Sequence, residues 1–185
     1  MGGVRASILA WVVLSLATQS IAAVRIFAYF NNNLLPGDQG SSDGSYELMS
    51  YNFGVEQAVS ASSSPIAIQG GKARQGAVNL IKQGDEWDPN FERLQLKGPS
   101  SGLNPVVIST QDISGAGNFV PIFNITLNNV YITSNRFTVA SGNQEIVSIS
   151  LDYAAITATY FKYDASGALT TKTQTGFNFV RNVAI

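Results

Sequence analysis

The chain has 185 residues, enough for one domain with a sizeable core, and its 11 basic and 12 acidic side chains leave a formal charge of −1. With only 12% of residues charged there is no basic field to hold a phosphate backbone, so nucleic acid is not an expected partner. Neither Cys nor His occurs, which removes disulfides, thiolate and imidazole metal sites, thiol redox chemistry and every Ser-His or Cys-His catalytic arrangement.

An apolar fraction of 45%, with abundant Ser, Thr, Asn, Gln and Gly and few Lys or Glu, favours strands and turns and points to an all-β fold. Residues 1–23 stand apart: one cation, Arg5, then an apolar stretch over 8–17, then small residues at the exit. That is the layout of a cleavable export signal, and the apolar run is too short to span a bilayer. Cleavage is expected after Ala22 or Ala23, leaving a single domain of residues 24–185, secreted and without stable membrane insertion.

Residues 24–30 are β-branched and aromatic and predict a first strand, and the Asn, Pro-Gly, Asp and Ser cluster of 31–45 predicts a loop. Over 46–55, Met49, Tyr51, Phe53 and Val55 alternate with Ser50, Asn52 and Gly54, predicting a second strand with those four on its apolar face. Residues 58–72 hold Ser60, Ser62, Ser63, Ser64, Pro65, Gly70 and Gly71 and predict a long protruding loop. A strand over 73–82 follows, with Val78 and Leu80 on one side. The only helix is predicted within 85–98, capped by Asp88, with Pro89 at its first position, Phe91 and Leu94 inward, Lys97 at the carboxyl end and Gly98 as the stop.

Strands over 106–113 and 119–134 flank a Gly-containing hairpin loop at 114–118. Over 144–163, Val147, Ile149, Leu151 and Tyr153 alternate with polar residues, and a change of phase predicts a bulge near Ala154. A turn at 164–167 and a terminal strand at 177–182 complete a closed or sandwich-like barrel.

Little in these elements suggests catalysis. Asp85, Glu86 and Asp88 are a close carboxylate cluster, but the spacing of a calcium loop is missing and helix capping is the simpler reading. Asp112 and Asp152 are the kind of pair a glycosidase needs, with nothing in the sequence to bring them together. Gly70 and Gly71 lack the Walker spacing of a phosphate loop, and Asn124 opens a glycosylation sequon inside a predicted strand. The aromatics Tyr46, Tyr51, Phe53, Trp87, Phe91, Tyr153, Tyr160, Phe177 and Phe179 are read as core rather than as the lining of a ligand cavity.

Several segments, in one order along residues 24–185, resemble the haemolysin-coregulated protein (Hcp) family, the tube subunits of type VI secretion systems. They are the aromatic-rich strand at 45–57 ending near Gly54, the helix opening at Asp88-Pro89, the long strand ITLNNVYITS at 125–134, the strand at 145–160, and the closing TGFNFVRN at 175–182. The resemblance implies an Hcp-like β-barrel of two antiparallel sheets with one short helix, non-enzymatic and without cofactor or metal. It also implies homohexameric rings that stack into a tube delivering effector proteins, with 58–72 as the loop contacting the next ring. The export signal departs from the family, whose tube subunits leave through the contractile machine. The competing expectation is a monomeric secreted barrel that binds a small or extracellular ligand.

Overall fold

The computed structural model describes residues 24–32, 34–38, 44–61, 68–98, 102–113, 118–139 and 144–185. In chain order these form β1 (Arg25–Phe30), β2 (Ser45–Asn52), β3 (Val55–Ala61), β4 (Ile68–Gln75), β5 (Val78–Gln83), α1 (Asp88–Lys97), β6 (Val106–Ile113), β7 (Phe119–Thr138), β8 (Ile146–Tyr163), β9 (Leu169–Asn178) and β10 (Val183–Ala184).

The main sheet runs β10-β9-β8-β5-β2-β1-β6-β7, and β7 pairs back onto β8, so six antiparallel strands close into a barrel. Closure pairs the two edges of this six-stranded stretch with each other, while β9 and β10 extend the sheet beyond β8. The two longest strands make it possible. β7 pairs β6 with its first half (Val106↔Leu127, Ile113↔Phe119) and β8 along most of its length (Phe123↔Tyr160 to Thr138↔Ile146).

Alternation fills the interior. Ala28 and Phe30 of β1, Tyr46 and Leu48 of β2, Val78 and Leu80 of β5, and Val147, Ile149, Leu151 and Tyr153 of β8 are all buried. Phe91 and Leu94, both fully buried, turn one face of α1 into the same core, where Phe30, Tyr46 and Phe91 meet edge to face at 5.1–5.7 Å between ring centres. Gly98 follows the helix with φ 58°, the left-handed conformation a glycine permits.

Four local expectations are corrected. The inward face of β2 is Tyr46 and Leu48, while Met49, Phe53 and Val55 are 61%, 39% and 51% exposed, because the register shifts between Leu48 and Ser50 and the strand ends at Asn52. The register of β7 on β8 is unbroken at Ala154 and shifts between Ile132 and Ser134 instead. Ala154 marks a change of neighbour: β8 pairs β5 up to Leu151 and β9 from Ala155 onward, so Ala155 and Ile156 are buried side by side. The 177–182 segment is the end of β9 and a turn, with Asn182 at φ 56°, before the short β10. Asp88 makes no side-chain capping bond to the helix; its carboxylate faces a buried lysine.

Candidate functional site

The predicted loop at 58–72 is largely a two-stranded ribbon. β3 and β4 pair antiparallel from Val55↔Gln75 to Ala61↔Ile68, separate from the main sheet, with a register shift between Gln57 and Val59. Its base is closed by the Gly76 amide donating to the Gly54 carbonyl at 2.9 Å. Ser60 lies in β3, Gly70 and Gly71 lie in β4, and Ser62, Ser63, Ser64 and Pro65 fall outside the described residues. Ala22 and Ala23 fall outside them as well. At the base Ala73 and Gln75 are half-buried, while Lys72 and Arg74 are exposed.

The ribbon leaves the barrel at the end where β2 finishes and β5 begins. A cleft of about 660 Å³ opens beneath it, lined by Lys72, Arg74, Gln75, Thr133, Asp152 and Phe179. On its wall Asp152 accepts hydrogen bonds from Gln75 Nε2 at 2.8 Å, the Tyr131 hydroxyl at 2.8 Å and the Tyr153 amide at 2.8 Å. Burial pulls this carboxyl upward, but the three donors outweigh it and hold it below the usual carboxylate range. Asp152 thus pins the ribbon to the barrel wall. Asp112 lines a different cleft, beside Ile113 and Tyr160, so the two carboxylates do not form a glycosidase pair.

At the opposite end, the inward alternation of β5 runs from Val78 and Leu80 on to Lys82, which is 1% exposed. Its ammonium meets Asp88 Oδ1 at 2.8 Å, Asp85 Oδ2 at 2.7 Å and the Gln83 carbonyl at 2.7 Å, and lies 5.7 Å from the Tyr46 ring and 5.9 Å from the Phe91 ring. The Asp85 amide donates to Asp88 Oδ2 and the Trp87 amide to Asp85 Oδ1, both at 2.7 Å, so the start of α1 is built around this lysine. The Asp85, Glu86 and Asp88 cluster is therefore structural in two of its members, and among the described residues no group of His, Cys, Asp or Glu is arranged to hold a metal.

Asp38 joins this cluster from the loop before β2, where its Oδ2 accepts the Glu47 amide at 2.7 Å. Burial raises the Asp38 carboxyl to about 6, helped by a hydrogen bond and repulsion from Asp85 and opposed by the Glu47 amide and Lys82. A second surface cleft of about 430 Å³ lies there, lined by Asp38, Glu47, Met49, Gln83 and Asp85. Glu47 is held by Arg25 from β1 at 2.6 and 2.9 Å.

Tyr46, Phe91, Tyr153 and Phe179 are buried and belong to the packed core, whereas Tyr160 and Phe53 stand partly in solvent. The family model described as type VI secretion system effector, Hcp, matches residues 36–160. The chain belongs to the Hcp family. A solved structure of a type six secretion system protein superposes on this Hcp chain with a TM-score of 0.77 at 14% identity, covering 88% of this chain and 100% of that one. Hcp1 from Salmonella typhimurium gives 0.68 at 13% identity (88% and 99% covered), and the secreted protein Hcp3 from Pseudomonas aeruginosa 0.57 at 16% (82% and 97%). No curated protein matches the sequence. Family and fold together make this Hcp chain a type VI secretion tube protein, and the alternative of a ligand-binding barrel is not favoured.

Proposed function

We propose that the mature chain is a non-enzymatic building block that self-assembles into homohexameric rings, and that the rings stack through the β3–β4 ribbon. The observation that carries this reading is the ribbon itself: a two-stranded element, separate from the main sheet, on a closed barrel of the Hcp family. The edge of β9 supports lateral self-association, since among the described residues the chain pairs on that side only with 176–178, through Val183↔Asn178, Ala184↔Phe177 and the Ile185 amide donating to the Gly176 carbonyl.

In this reading Ser60, Ser62, Ser63, Ser64, Pro65, Gly70 and Gly71 are the ring-stacking residues. Residues 1–23 are an export signal cut after Ala22 or Ala23, the protein is secreted, and the assembled rings carry or deliver effector proteins. The test is electron microscopy of the mature chain beside a variant lacking residues 60–70. Rings in both, with stacks only in the intact chain, is the expected outcome; equal stacking in both would remove the ribbon from the axial contact.

A further inference from the structure

The β3–β4 ribbon joins the barrel through two short crossings, Phe53-Gly54 after β2 and Gly76-Ala77 before β5. The Gly76 amide donates to the Gly54 carbonyl at 2.9 Å, and Val55↔Gln75 is the first rung of the ribbon ladder, so the two crossings move as one. At Gly54 neither backbone nor packing requires glycine: its φ is not in the left-handed region, and a Cβ there would meet nothing within 4 Å. The freedom of that residue is unused in the observed position of the ribbon and is available for another. Gly76 is the tighter of the two, with its Cβ position 3.1 Å from the Gly54 carbonyl oxygen.

The observed position is held from the side. Gln75, the last residue of β4, donates through Nε2 to Asp152 Oδ1 at 2.8 Å. Asp152 belongs to β8 and is itself fixed to the barrel, by the Tyr131 hydroxyl of β7 on Oδ2 and the Tyr153 amide on Oδ1. Burial pulls this carboxyl upward, but its donors hold it ionised at neutral pH, so the bond from Gln75 is charge-assisted and stronger than a neutral one. The cleft of about 660 Å³ has one wall on each body, with Lys72, Arg74 and Gln75 from the ribbon and Thr133, Asp152 and Phe179 from the barrel.

We infer that the ribbon is a hinged flap over this cleft, turning at Gly54 and Gly76, and that the Gln75–Asp152 hydrogen bond is the latch that keeps it closed. Breaking the latch frees the base of the ribbon to turn, and the eight residues of β4, roughly 25 Å long, carry that turn outward. The two walls of the cleft then part. The latch sets the populations of the closed and released positions. It lies within one subunit and does not depend on how subunits assemble.

The chain has no cysteine, so a pair can be placed for spin labels: Lys72→Cys on the ribbon and Val180→Cys, 73% exposed, on the barrel side of the same cleft. Their separation is measured by pulsed electron paramagnetic resonance on the mature chain, diluted until light scattering shows no stacks, with circular dichroism confirming the fold of each variant. With the latch intact, one narrow distance is expected. Gln75→Glu sets carboxylate against carboxylate and Gln75→Leu deletes the donor, and each is expected to lengthen the distance and broaden its distribution about twofold or more. Adding Asp152→Asn to Gln75→Glu exchanges donor and acceptor and is expected to restore the narrow distance, which a general disturbance at position 75 would not allow. Gly54→Ala is expected to narrow the distribution of Gln75→Leu by stiffening the hinge. The same narrow distance in every variant would overturn the flap. A broadening by Gln75→Glu that Asp152→Asn leaves unchanged would overturn the latch.

Discussion

Lys82→Met tests the reasoning about the barrel end most sharply. Methionine keeps nearly the same length and volume, so no cavity opens between the Tyr46 and Phe91 rings, and the change isolates the charge. Lys82 is 1% and Asp88 2% exposed, and the ammonium is the only cation ion-paired to Asp85 and Asp88 among the described residues. Removing one partner of a buried pair leaves the other uncompensated and costs about 3–5 kcal/mol. For a domain of this size that corresponds to a fall of roughly 6–20 °C in Tm, measured at one fixed protein concentration because assembly also shifts Tm. A second variant, Lys82→Met with Asp88→Asn, removes the stranded charge and is expected to recover much of the loss. A single variant within about 2 °C of the wild type would refute the claim that this ion pair holds the start of α1 to the barrel.

Three further outcomes follow from the same structure. Because folding raises the Asp38 carboxyl to about 6, the fold is favoured most below the carboxyl's ordinary range and loses stability as pH rises through about 6. Asp38→Asn is therefore expected to flatten the pH profile of unfolding and to exceed the wild type by about 1 kcal/mol at neutral pH, after allowance for solvent screening of a half-exposed group; an unchanged profile would contradict the assignment. Gly37 sits at φ 105° with its missing Cβ position 2.5 Å from the Gly44 carbonyl carbon, so Gly37→Ala is expected to cost on the order of 1–3 kcal/mol in thermal unfolding. Phe91→Ala empties the meeting point of three rings and is expected to cost about 3–5 kcal/mol, read by urea denaturation.

The parts of the fold legible in sequence are those where periodicity and burial agree. Val147, Ile149, Leu151 and Tyr153 alternate because one face of β8 is core, and Phe91 and Leu94 sit three apart because one stripe of α1 is core. Where a strand stands apart from the main sheet, the pattern is weak. Among the described residues β3 and β4 pair only with each other, and the Ser and Gly of this stretch suggest a loop rather than two strands. β9 reads Leu-Thr-Thr-Lys-Thr-Gln-Thr, exposed on both faces, and carries no alternation to find. Lys82 was hidden for the opposite reason. A lysine closing a strand reads as solvent-facing, and only the return of Asp85 and Asp88 three and six residues later gives it a buried partner. The apolar run at Met49, Phe53 and Val55 misled because a register shift turns the strand over, a feature set by pairing and invisible in the alternation itself.

We propose above that this barrel is a ring-forming subunit. The most direct measurement is the native mass of residues 24–185 by light scattering during size-exclusion chromatography. A species of six protomers, present without added ligand, is the expected result; a monomer persisting to millimolar concentration would contradict the account.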